Sequence, residues 1–303
     1  MRYLDPKNDL TFKKIFGQHP AILMDLLNNL LPLSADQVIE RIEYLSPEQV
    51  PDIPMFKNSV VDVKCTDQHR RTFIVEMQIL WTDSFMSRVV FNASKAYVRQ
   101  LRPGQKYKVL QPVYALSLID EVFHPSDAYY HQYQIANLDQ PNDQLEDLTF
   151  IFVELPKLTP DNLPEQVDRG LWLRFFHEIN DGDETTPVGL DSNEKIREAL
   201  GYLRESAFTR AELEHYDQYW DSVSRERTIQ EDATEEAMAI GIKQGRAEGL
   251  EQGLEQGMAG EKRTRLIKVL QRGKLTQAEI AEDFEVSLAE VAQLAAELGL
   301  AAG

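Results

Sequence analysis

The stretch that most limits what this chain can fold into is NSVVDVKCTDQHRRTFIVEMQIL, residues 58–80. Two β-branched, apolar runs flank the polar segment DQHRR, the pattern of two strands joined by a turn. Strand side chains alternate between faces. Val60, Asp62 and Lys64 are therefore expected on one face of the first run, with Val61, Val63 and Cys65 on the other. In the second run Ile74, Glu76 and Gln78 share a face, opposite Phe73, Val75 and Met77. Pairing residue 66 with residue 72 sets Asp62 across from Glu76, with Cβ atoms about 4.5–5.5 Å apart. Like charges so placed are destabilising unless neutralised. Carboxylate oxygens suit Mg²⁺ or Mn²⁺, which also lowers the pKa of a bound water and offsets charge developing on a phosphate. Acids on strands are more often plain solvated residues. Against that, Glu76 interrupts an otherwise apolar run, where burying a lone carboxylate is costly.

Around this hairpin the pattern predicts an α/β chain. DLTFKKIFG and AILMDLLNNLL read as helices, the first with Leu10, Phe12, Ile15 and Phe16 near one face. VIERIEYLS reads as a strand and PEQVPDIP as a loop. A helix is expected from Ser84 to about Leu101, closed by Pro103-Gly104. VLQPVYALSLIDEVF, YYHQYQIANL and LTFIFVELPKL read as strands, and residues 164–206 as helical around the loop NDGDETTPVG. Three segments follow from composition: a domain over residues 1–205, an acidic helical segment over 206–260, and a small tail over 261–303. The boundary between the first two falls somewhere in 205–235.

Three blocks in order, DLTFKKIFG, SVVDVKC and FIVEMQ, resemble the recombination-promoting nuclease / putative transposase family of the PD-(D/E)XK nuclease superfamily. The match spans roughly residues 5–155 and continues more weakly to about 205. Asp62 takes the place of the family's Asp, Glu76 its Glu and Gln78 its last motif position. The resemblance implies a restriction-endonuclease-like mixed β-sheet flanked by helices, here with a helical C-terminal extension. It also implies Mg²⁺-dependent hydrolysis of DNA phosphodiesters, linked to recombination or mobile elements. Asp62 and Glu76 would then hold the metal, with the Met77 main-chain carbonyl and Asp9 as further ligands; Asp9 serves equally well as an acid starting a helix. Gln78 departs from the superfamily's commoner Lys. A Gln can orient water but brings no positive charge, so a second metal or Lys64 would have to compensate.

A net charge of −18 argues at first against a DNA partner, but its distribution does not. Residues 1–110 hold 15 Lys/Arg against 12 Asp/Glu, whereas residues 111–303 hold 17 against 38. The front segment can face phosphate. Arg88, Lys95, Arg99 and Arg102 recur at helical spacing and form one basic stripe, suited to sequence-independent backbone contact. Lys13 and Lys14 either touch phosphate or line a solvated helix face. Arg70 and Arg71 either clamp DNA or sit in an ordinary exposed turn. No residue set is arranged to read base edges. The six histidines form no HExxH-like pair, no Walker-type or dinucleotide glycine loop is present, and the single Cys65 offers neither a disulfide nor a thiolate zinc site. With no apolar run near membrane-spanning length and no secretory core in MRYLDPKNDL, the expected location is the cytoplasm.

The tail carries Gly241, Gly245, Gly249, Gly253 and Gly257 at four-residue steps among good helix formers. Each glycine weakens a helix by about 1 kcal/mol relative to Ala. The stripe is either a helix for homo-oligomer formation or a flexible acidic linker; its charges exclude transmembrane pairing. LTQAEIAEDFEVSLAEVAQLAAEL reads as a helix-turn-helix. Its second helix carries Glu290 and Glu297 and no Lys or Arg, favouring protein contact over base readout. A catalytically silent DNA-binding or assembly protein that oligomerises through these helices is the competing reading.

Overall fold

The computed structural model describes residues 2–46, 48–49 and 59–300. The loop expected over PEQVPDIP lies outside the described residues except for Glu48 and Gln49, which form a short strand. The chain divides into two compact units, Met1–Arg227 and Thr228–Gly303.

The first unit opens with α1 (Asp9–Phe16) and α2 (Pro20–Leu30). Asn8 caps α1 by accepting from the Leu10 N–H, and Asp9 sits in the first turn, where an acid suits the helix dipole. Strand β1 (Ile42–Tyr44) follows; β2 (Glu48–Gln49) pairs with β3 (Ser59–Val60). Then come β4 (Val63–Asp67), β5 (Thr72–Gln78), α3 (Phe85–Val98) and β6 (Val113–Ile119). A hairpin of β7 (Tyr130–Asn137) and β8 (Gln140–Glu154) leads to α4 (Val167–Glu178), α5 (Glu194–Leu203) and the start of α6 (Arg210–Arg272). The polar run 140–147, which gives no apolar alternation, is strand because it continues the hairpin beyond the core.

The main sheet has the order β1-β4-β5-β6-β8-β7. β5, β6 and β8 run parallel, and the flanking pairs are antiparallel. α3 makes the crossover between β5 and β6 and covers one face, where Val89, Ala93 and Ala96 meet Ile74, Ala115 and Phe152. The other face packs against α1, α2, α4 and α5. This is the mixed sheet flanked by helices that the three blocks imply.

DLTFKKIFG is explained by that second layer. Phe12 and Phe16 are fully buried and lie 6.2 and 5.6 Å from the Phe176 ring, with Trp172 5.8 Å from Phe16. At Gly17 an added Cβ would lie 2.5 Å from the Lys13 carbonyl oxygen, so the chain can leave α1 there only without a side chain. Leu10 does not join the Phe12 face as expected. It packs instead with Leu4, Phe208, Tyr216 and Trp220, because α6 folds its first turns against α1. Residues 206–227 thus belong to the first unit, whose end at Arg227 lies within the 205–235 range.

In the second unit α6 stays helical through the glycine ladder. Its last turns pack with α7 (Gln277–Asp283) and α8 (Leu288–Glu297) around Leu266, Leu270, Ile280, Val291 and Leu294. Thr276 and Glu279 cap α7 reciprocally, and Ser287 and Glu290 do the same for α8. Glu290 is therefore a helix cap, and Glu297 is paired with Arg263 at 2.8 Å.

Candidate active site

The hairpin holds the register expected of it: Thr66 pairs with Thr72, and Val63 with Val75. The next position would set Asp62 against Glu76, but β4 begins only at Val63 and Asp62 lies in a bend. Alternation fails at that bend. Val61 packs in the α3-side cluster and Val63 in the opposite one, although both were expected on one face. The bend turns the Asp62 carboxylate onto the neighbouring strand, where its Oδ2 accepts the Met77 N–H at 2.8 Å. A side chain thus occupies the place of the backbone acceptor that a continuing β4 would offer. In an extended strand the N–H and C=O of one residue point to the same side, so the Met77 carbonyl is turned toward Asp62 as well. The Met77 side chain is buried in the core behind.

Glu76 sits on the α3 face of β5. Its side chain is only 8% exposed, against 21% for Asp62. Asn92 of α3 donates to Glu76 Oε1 at 3.1 Å, and the Arg88 guanidinium lies 3.9 Å from Oε2. Burial, then repulsion from Asp62, pushes the Glu76 pKa up to about 7. Burial also raises Asp62, to about 6, against the opposing effects of the Met77 N–H and Lys13. Each carboxylate is starved of water, and the two repel each other, as neighbouring acids awaiting a counter-charge should. Ser117 of β6 pairs with Glu76 across the parallel ladder, so its side chain leaves the same face. Its Oγ is buried without a hydrogen-bond partner among the described residues. An orphaned hydroxyl, two raised acids and an inward main-chain carbonyl form a donor set that fits a hard divalent cation with its water.

The other expected residues divide sharply. Asp9 is held by Lys13 at 2.6 Å, and among the described residues no three His, Cys, Asp or Glu side chains gather as a metal cage. Asp9 is thus linked to Asp62 through Lys13. Lys13 Nζ also lies 3.7 Å from Asp62 Oδ1. Gln78 is held at both ends: its Oε1 accepts from Arg88 at 2.6 Å, and its amide nitrogen donates to the Leu80 carbonyl. Lys14 is not available to phosphate. Its ammonium binds Glu212 at 2.9 Å and the Ala207 carbonyl at 2.7 Å, above the Phe208 ring, fastening α6 to α1. Arg71 is not available either, being buried against Asp67 and the Gln37 carbonyl. Arg70 stays exposed at the turn, with φ at +65°. Arg88 and Lys95 lie on α3, Arg99 caps it, and Arg102 is exposed just beyond. Lys64 belongs with that group: burial, then the charges of Arg99 and Lys95, lower its pKa.

Three residues at the site were not singled out from the sequence. Asn92 could have been, since it lies one helical turn after Arg88. Ser117 is the lone aliphatic hydroxyl in the apolar run VYALSLI. Tyr219 of α6 gave no local signal; its phenol is pushed up by burial and by the carboxylates of Asp9, Asp62 and Asp5.

Among the described residues no helix is long and apolar enough to cross a membrane. No curated protein and no solved structure gives a significant match to the chain. A family model does, that of the PD-(D/E)XK nuclease family transposases, and it covers residues 6–229, all but the first five residues of the first unit and well past the limit at about 205 set by the three blocks. With the sheet order and this match in agreement, the chain belongs to the PD-(D/E)XK nuclease family transposases.

Proposed function

We propose that this protein is a Mg²⁺-dependent DNA endonuclease of low sequence specificity, with Mn²⁺ as the alternative ion, acting in the cytoplasm on mobile or recombining DNA. Family membership supports a nuclease or mobile-element role, and PD-(D/E)XK nucleases generally use divalent metal ions. The observation that carries the finer reading is the Asp62–Glu76 pair: two desolvated, mutually repelling carboxylates at the open end of β5.

Asp62, Glu76 and the Met77 carbonyl would hold the cation. When bound, it supplies a water of lowered pKa and a counter-charge for the phosphate. The chain's own residues do the rest. Asn92 fixes the Glu76 carboxylate, and the Met77 N–H fixes that of Asp62. Arg88 steadies Gln78, whose carbonyl oxygen has a second lone pair to accept from the attacking water. Arg70, Lys95, Arg99 and Arg102 offer charge to the DNA backbone without reading bases. Supercoiled plasmid should be nicked and linearised with Mg²⁺, EDTA should stop this, and folded Asp62→Ala protein should not cleave. Undiminished cleavage by that variant would remove the site. Wild-type protein inert with both ions would favour a silent DNA-binding or assembly protein.

The exposed part of α6 supports homo-oligomer formation. Met238, Ile242, Leu250, Leu254 and Met258 lie at multiples of four residues beside the glycines, each more than half exposed. Burying such a stripe against a second copy removes apolar surface from water, and the glycines allow close approach. Ending the chain after Glu236 should leave a monomer by light scattering; an unchanged oligomer would place the contact elsewhere.

A further inference from the structure

We infer that Lys13, carried in from α1, supplies the positive charge that Gln78 cannot, acting on the scissile phosphate rather than anchoring DNA at a distance. The inference rests on the nuclease reading above. A divalent ion between Asp62 and Glu76 leaves those three groups with no net charge, while the phosphodiester gains negative charge as water adds. A cation at the acid pair is therefore needed, and the third motif position does not provide it. Gln78 is neutral, and both ends of its amide are held by Arg88 and the Leu80 carbonyl.

Three other cations come near. Lys64, two residues after Asp62, is half-buried and pairs with Ile74 across the ladder, which puts it on the α3 face. Arg88 approaches the far side, 3.9 Å from Glu76, and its shortest bond is to Gln78, which makes it a positioning residue. Lys14 is spent on Glu212 and Ala207. Lys13 alone of these stands beside Asp62, at 3.7 Å. The 2.6 Å bond to Asp9, one helical turn earlier, keeps its ammonium charged and held beside Asp62. Phe12 and Phe16, both fully buried, and the close turn at Gly17 fix the helix that carries it. With its side chain 40% exposed, Lys13 can still reach a bound phosphate.

In the step itself, water oxygen bonds to phosphorus and the phosphorus–oxygen bond to the leaving sugar breaks. The attacking water gives up one proton to solvent, and the leaving oxygen takes one. Lys13 stays protonated throughout, opposing the charge on a non-bridging oxygen.

The test uses the full-length protein and a fluorescein-labelled DNA duplex. Lys13→Ala should slow single-turnover cleavage at saturating DNA by about 10²-fold. Duplex affinity, measured by anisotropy in non-cleaving Ca²⁺, should hold within about twofold, with an unchanged salt slope. Adding Gln78→Lys to Lys13→Ala returns a cation to the third motif position and should recover about tenfold of the rate. Without DNA, Lys13→Ala should bind Mn²⁺ about tenfold more tightly in calorimetry, since a like charge beside Asp62 is gone. A variant that cleaves at the wild-type rate once saturated, but binds DNA more weakly with a salt slope smaller by about one, would make Lys13 a remote backbone contact and overturn the inference. Unaltered Mn²⁺ affinity would overturn it too. Failure of the nuclease reading looks different: wild type and Gln78→Lys would both be inert with Mg²⁺ and Mn²⁺.

Discussion

Glu76→Gln protein, free of metal at pH 8, is expected to melt roughly 4–8 °C above the wild type while losing DNA cleavage by about 10³-fold or more. The two effects have one cause. Glu76 titrates at about 7 in the folded chain, against 4.5 for an ordinary glutamate, because burial and Asp62 oppose its charge. A folded pKa above the unfolded one means that the native state holds the proton more tightly. The stabilising contribution is complete below pH 4.5 and is lost as pH rises through about 7. At pH 8 the native protein therefore carries a strained carboxylate. That difference amounts to roughly 2–3 kcal/mol. An amide of the same shape keeps the Asn92 partner and removes the charge. Wild-type protein should accordingly gain melting temperature on acidification from pH 8 to pH 5, and the variant should gain less. Saturating Mg²⁺ should stabilise the wild type and leave the variant almost unmoved. A variant less stable than wild type at pH 8, or one still cleaving DNA, would show that Glu76 is a structural acid.

Arg71→Ala should lower the melting temperature by roughly 10 °C, whereas Arg70→Ala should move it by no more than about 2 °C. The two arginines are neighbours in one turn and look alike in sequence. Arg71 is 5% exposed and meets Asp67, whose side chain is fully buried, through Nε at 2.7 Å and Nη2 at 2.6 Å. It also donates to the Gln37 carbonyl. Removing it strands a buried carboxylate, which costs about 3–5 kcal/mol. Arg70 has nothing comparable to lose, and its substitution should show itself in DNA affinity instead. Thermal melts of the two single variants at pH 7.5 decide the matter; equal, small shifts would mean that the Asp67 pair does not hold the turn.

What could be read from the sequence was local and periodic. The apolar runs on either side of DQHRR read as two strands, and the register assumed for them, Thr66 with Thr72, is the one the structure holds. Asp62 and Glu76 were thereby brought to neighbouring positions, and Glu76 stood out as an acid in a greasy strand. The helical spacing of Arg88, Lys95 and Arg99 was likewise legible, because one face of a helix repeats within the segment itself.

What only tertiary structure decided is which local face meets which distant one. At the bend the Asp62 carboxylate bonds across to the Met77 N–H, a contact no alternation rule contains. Lys13 and Lys14 are equal candidates in sequence, yet α1 packs with one toward Asp62 and the other toward Glu212, 198 residues further on. Tyr219 joins the site only because α6 returns to α1 through Phe208 and Tyr216. Periodicity assigns residues to faces at almost no cost in sequence. Choosing the partner of each face is left to the burial of aromatic and aliphatic surface from the whole unit, a sum no short window records.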